Sequence, residues 1–257
     1  MRDPHVVALH YRVVTPSGFF AFKDPPPLEA ERGTFRFQLK DGALRVEMKD
    51  HHATEASARS LVQPFLAAWE VDFALQEQRR EMRFEFARAE VVDRHPDDVR
   101  RVVATGEVSF FATTTVKKLA CEYPPPPAAF AASEDVETLM LHFEAFASGK
   151  ERLVDAAYFC LTLLERRAGG RPEAASEFTI DFEVLRKIGF LTSDQVGDER
   201  TARKLSHRSS LRPHTREELA WLQAALRALI RRVGEYDFNP AGALVPITLA
   251  DLPALPS

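Results

Sequence analysis

The chain reads as an α+β protein of two modules, an antiparallel β-rich module with one helix followed by an α-helical bundle. Three observations predict this. Before Pro124-Pro125-Pro126-Pro127, apolar residues mostly alternate with polar ones, the period of half-buried strands. After it they recur every three or four residues, the period of amphipathic helices. Asp41-Gly42, a favoured two-residue turn, joins two alternating runs, and Ser133 and Thr215 stand as N-caps before helical runs. The expected organisation is a β-rich module over 1–123, a proline-rich linker over 124–132, a helical module over 133–238 and an extended tail over 239–257.

Val6 to Val14 alternates and predicts a strand. Phe19 to Phe22 either extends the sheet or packs under it, before Asp24-Pro25-Pro26-Pro27 interrupts. Thr34 to Lys40 places Phe35, Phe37 and Leu39 on one face, and Ala43 to Lys49 does the same with Leu44, Val46 and Met48, which makes a β-hairpin across Asp41-Gly42. Thr54 caps a helix that runs to about Glu70, with Leu61, Phe65, Leu66 and Trp69 inward and a kink expected at Pro64. Strands are expected over Val71 to Leu75, Arg83 to Asp93, and Arg101 to Ala112 with a continuation toward Tyr123. His95-Pro96-Asp97-Asp98 makes a turn between two of them.

In the second half Ser133 opens a helix with Val136, Leu139, Met140 and Phe143 at helical spacing. Leu153 to Arg167 is the most apolar helix and Gly169-Gly170 ends it. Pro172 to Phe178 and Phe182 to Ile188 read as two shorter helices. Thr215 caps a long one, Arg216 to Val233, with acids at its positive end and arginines at its negative end. Val245, Ile247 and Leu249 are the tail residues expected to dock on the body.

Composition narrows the class. At 257 residues and 45% hydrophobic content the chain can bury two ordinary cores. No apolar run has the length of a membrane span, and Met1-Arg2-Asp3-Pro4-His5 does not open a signal-peptide core, so a bacterial cytoplasmic protein with no membrane partner is expected. Cys121 and Cys160 have no CxxC spacing and read as buried apolar residues. The net charge of −4 gives no global attraction to polyanions. One stretch departs from it: Arg200, Arg203, Lys204, Arg208, Arg212 and Arg216 carry positive charge without an acid between them.

Within that stretch Arg208-Ser209-Ser210-Leu211-Arg212-Pro213-His214 precedes a capped amphipathic helix. An arginine and a histidine at this separation, in a helical bundle, resemble the HEPN ribonuclease signature. That resemblance implies a metal-independent endoribonuclease completed by homodimerisation, with His214 moving protons at the ribose 2′-hydroxyl and leaving oxygen and Arg208 clamping the phosphate. Ser209 stands where the family usually has a polar amide or acid, and Pro213 holds Arg212 out of helix. The same residues read equally as a solvated basic loop before a helix.

Glu173 to Ile188 resembles a helix-turn-helix, with Ala175 small and Phe178, Ile180, Leu185 and Ile188 apolar. Thr179 stands at the usual glycine. That resemblance implies a DNA reader whose contacts come from Arg186 and Lys187, helped by Arg200, Arg203, Lys204 and Arg212. A short connection inside a bundle explains the pattern too. The histidines of the first half, His5, His10, His51, His52 and His95, read as scattered surface residues, and neither a metal site nor a cofactor is expected. The leading expectation is a non-catalytic binding or interaction protein. In it the β-rich half, or its junction with the helices, recognises a protein or ligand partner, and 200–216 is the stretch that would meet RNA or DNA.

Overall fold

Asp41 and Gly42 both take positive φ, +50° and +72°, the left-handed pair that matches strand twist in a tight hairpin. The structure, a computed structural model, describes residues 3–18, 20–94, 101–105, 118–194 and 213–255, with the backbone alone at 101–105 and 193–194. The chain divides into two compact units, Met1–Pro127 and Ala128–Ser257.

The first unit contains β1 (Pro4–Val14), β2 (Phe20–Phe22), β3 (Leu28–Arg32), β4 (Phe35–Lys40), β5 (Ala43–Met48), α1 (Glu55–Glu77), β6 (Arg83–Asp93), β7 (Arg101–Thr105) and β8 (Lys118–Ala120). Six strands form an antiparallel sheet in the order β3-β4-β5-β1-β6-β7. The hairpin register sets Phe37 opposite Val46 and Leu39 opposite Leu44, so one face is apolar throughout. That face meets α1. Phe35, Phe37, Phe65, Trp69 and Phe84 pack ring against ring, with neighbouring centroids 4.9–5.7 Å apart. The Trp69 indole donates to the Pro124 carbonyl at 3.0 Å, which satisfies its buried N–H.

One expectation about this unit is narrowed and another overturned. Phe20–Phe22 does not extend the main sheet: β2 pairs in parallel with β8 in a separate two-stranded sheet, and Phe20 and Phe22 pack into the core of the unit, the second of the two expected outcomes. Val71 to Leu75 is not a strand but the last turns of α1. All five of these residues are buried, and Phe73 meets Phe20 and Phe22. A helix end wrapped on all sides has no polar stripe, so its apolar residues imitate strand alternation. The helix assignment is continuous through Pro64, which is exposed, so the Ser60 carbonyl left without an N–H partner can be met by water. Beyond the sheet, part of the expected Arg101–Ala112 strand and the turn at His95 to Asp98 lie outside the described residues.

The second unit contains α2 (Glu134–Ala147), α3 (Leu153–Ala168), α4 (Arg171–Glu177), α5 (Phe182–Gly189) and α6 (Arg216–Phe238). Ser133 accepts from the Val136 N–H at 3.2 Å, and Thr215 and Glu218 form a reciprocal capping box at the head of α6. Gly169 ends α3 at φ +91°. α3 touches each of the other four helices and is the centre of the bundle. α6 runs five residues past its expected end, because Gly234 does not stop it: the Phe130 ring occupies the space a Cβ would fill there.

The segment 124–132 is not a free spacer. Arg32 donates to the Pro127 carbonyl at 2.6 Å within the first unit, and Ala131 N–H donates to the Gly234 carbonyl at 2.9 Å within the second. The tail docks, but not through all three expected residues. Ile247 bridges in parallel to Ile180 and Leu252 is buried, while Val245 and Leu249 are exposed. Arg232 donates to the Val245 carbonyl at 2.5 Å, so the backbone at that point is held without burying the side chain. Cys160 is buried, which pushes its thiol pKa up, but Cys121 is exposed just beyond the short strand β8.

Candidate functional site

The site is built around α5. Its sequence puts Val184, Leu185 and Ile188 on the buried side, and Asp181 caps it by accepting from the Glu183 N–H at 2.9 Å. The turn leading into it places Thr179 at φ +52°, the left-handed region that favours glycine. A buried arginine holds that turn: Arg232 on α6 donates through Nη1 to the carbonyls of Phe178 at 2.8 Å and Thr179 at 3.1 Å. Two short helices joined by this turn therefore occupy 171–189.

The outward side of α5 is less suited to phosphate than its composition implies. Arg186 grips Glu183 in its own helix, Nε lying 3.0 and 2.8 Å from the two carboxylate oxygens, and this pair holds the guanidinium pKa above its ordinary value. The Lys187 ammonium lies over the Phe190 ring, 5.2 Å from its centroid. Both cations have a partner within the unit, and Glu183 brings negative charge to the same face.

What Arg186 and Lys187 do share is a concavity. With Glu183 they rim a groove of about 310 Å³, whose remaining walls are Trp221 of α6 and Leu249, Pro253, Ala254 and Leu255 of the tail. Apolar and charged side chains share its walls. Trp221 is fully buried beneath it and Leu249 is exposed beside it.

No protein-family model, curated protein or solved structure matches this chain. The site must be read from its chemistry.

His214 sits directly before the N-cap of α6, and its Nε2 donates to the Leu191 carbonyl at 2.8 Å. That bond fixes the tautomer and leaves Nδ1 as the basic nitrogen of the neutral ring. It also ties the residues after α5 to the head of α6. Arg200, Arg203, Lys204, Arg208 and Arg212 lie outside the described residues, so the partner expected for His214 is not placed.

Three of the first unit's histidines, His5, His51 and His52, come together; His10 lies apart from them, and His95 is outside the described residues. His5 is buried, its ring stacks on His51 with centroids 5.2 Å apart, and its Nδ1 accepts from the His52 N–H at 3.4 Å. The turn between β5 and α1 folds back on the start of β1, a pairing invisible to local spacing. Burial first, then Arg94, His51 and His52, hold the His5 pKa below its ordinary value. His10 bonds Glu90 at 2.8 Å, yet burial outweighs that pair and lowers its pKa as well. Among the described residues no group of three or more His, Cys, Asp or Glu could hold a metal ion, and no helix is long and apolar enough to cross a membrane.

Sequence reasoning missed Trp221, Leu249, Pro253 and Leu255 as site residues. Proline-spaced apolar residues in the tail were the available signal, since a segment that cannot form helix but keeps leucines must lay them on something.

Proposed function

We propose that this is a non-catalytic binding protein whose helical unit receives a ligand with an apolar body in the groove beside α5. The observation that carries the reading is the groove itself, lined by Trp221, Leu249 and Leu255 together with Glu183, Arg186 and Lys187. The sequence pattern places recognition in the β-rich half or at its junction with the helices; the groove moves it to the helical unit. An apolar ligand body would gain about 25 cal/mol for each Å² of surface removed from water, and the rim would orient its polar end. The test is calorimetric titration with 1-anilinonaphthalene-8-sulfonate, an aromatic body with one anionic group. Wild-type protein should bind it, and Leu249→Arg, at an exposed position that tolerates a long side chain, should weaken binding at least ten-fold. Equal binding by both proteins, or none by wild type, overturns the reading.

A second reading, a metal-independent HEPN-like ribonuclease, is favoured by the His214 tautomer. With Nε2–H anchored on a backbone carbonyl, Nδ1 is a candidate proton acceptor for a ribose hydroxyl, and Arg208 would supply the phosphate clamp. It requires RNA cleavage in EDTA that is lost in both His214→Ala and Arg208→Ala while the unfolding transition is kept. Absence of cleavage by wild type counts against it.

A further inference from the structure

The first unit has a cleft of its own, unrelated to α5. It opens between the end of β1, the strand β2 with the residues after it, and the β4–β5 turn, and has a volume of about 450 Å³. Phe22 and Tyr123 line it, their ring centroids 4.9 Å apart at 50°, so it offers aromatic surface on more than one side. Asp24 and Asp41 line it too, and among the described residues neither carboxylate has an ion pair or hydrogen bond. No Lys, Arg or His is among its described lining residues.

Tyr123 is 6% exposed, and its hydroxyl accepts from the Gly42 N–H at 2.7 Å. Aromatic rings beside two carboxylates that have no ion pair among the described residues fit a positive charge.

We propose that this cleft binds an organic cation, an ammonium or guanidinium group, with its charge held by Asp24 and Asp41 and its flank against Phe22 and Tyr123. Aromatic faces attract cations through the ring quadrupole, most strongly where water is excluded. Carboxylates add charge-assisted hydrogen bonds. Basic side chains of peptides and free amines share this chemistry.

Three probes separate the possibilities in calorimetric titrations of the full chain: N-acetyl-arginine methylamide, agmatine, and the neutral N-acetyl-citrulline methylamide. The cleft should bind the arginine derivative and not its citrulline counterpart. Agmatine, lacking the carbonyl, should bind more weakly if peptides are the source and equally if free amines are. Asp24→Asn and Asp41→Asn remove the charges but keep a residue that tolerates positive φ, which both aspartates have. Each should weaken arginine-derivative binding about ten-fold, a change of about 1.4 kcal/mol. Citrulline binding as tightly as arginine, unchanged affinity in the double variant, or no binding of either cation by wild type would overturn the proposal. Binding of 1-anilinonaphthalene-8-sulfonate beside α5 is independent of all three outcomes.

Discussion

The first unit wraps one helix in strands, and its indole, Trp69, reaches a proline carbonyl contributed from 55 residues away. The second packs four helices around α3, and its indole, Trp221, lies under a groove closed by the tail. Their concavities differ in the same way. The cleft of the first holds two carboxylates without partners among the described residues, whereas the groove of the second has its charges already engaged, Arg186 with Glu183 and Lys187 with Phe190. The two proposals rest on that difference: electrostatic recognition in the first unit and burial of an apolar ligand in the second.

The largest effects should come from the residues that hold each unit together. Phe37→Ala empties the aromatic stack at the centre of the first unit and should cost roughly 3–5 kcal/mol. Arg232→Met leaves the carbonyls of Phe178 and Val245 without their donor and takes one of two donors from Thr179, whose carbonyl keeps the Ile247 N–H, and should cost about as much, roughly 3–5 kcal/mol. Urea titrations followed at the indole N–H signals read the first at Trp69 and the second at Trp221. A loss below about 1 kcal/mol for Arg232→Met would mean that the turn before α5 holds itself.

Gly234→Ala is a smaller perturbation of the second unit. The added methyl meets the Phe130 ring, and overpacking of this kind costs roughly 1–3 kcal/mol. A neutral result would show that Phe130 can leave without consequence, and that the segment before α2 does not belong to this core.

The turn at Asp41-Gly42, the N-cap at Thr215 and the stop at Gly169 were legible because each is a local device, complete within four or five residues. Val71 to Leu75 was misread because burial on all sides erases the helical stripe that marks a period. The parallel pairing of β2 with β8, the contact of His5 with His51, and both concavities were not legible for a common reason. The cleft takes its walls from residues near 13–25, 41–42 and 123, and the groove from 183–187, 221 and 249–255. No spacing rule connects positions brought together only by tertiary folding. The turn at Thr179 lies between these cases: its sequence pattern was visible, but the arginine that stabilises its backbone is 53 residues on.

The smallest effect expected is on pH. His5 and His10 in the native first unit hold their protons less tightly than in the unfolded chain, chiefly through burial. The unfolded state therefore binds more protons in this range, and stability must rise with pH. Their contribution is complete above the ordinary histidine pKa of about 6.5 and is lost as pH falls through the lowered native values. The urea midpoint read at Trp69 should drop between about pH 7.5 and about pH 5. A midpoint that holds or rises would mean that protonated His10 gains more from Glu90 than it loses by burial.

The most direct test of the binding account is a chemical-shift titration of nitrogen-15-labelled protein with 1-anilinonaphthalene-8-sulfonate. The account predicts saturable shifts at the Trp221 indole and at the amides of Lys187, Leu249 and Leu255, with the Trp69 indole unmoved. Shifts at Trp69 without Trp221, or no saturable shift at either indole, would contradict it.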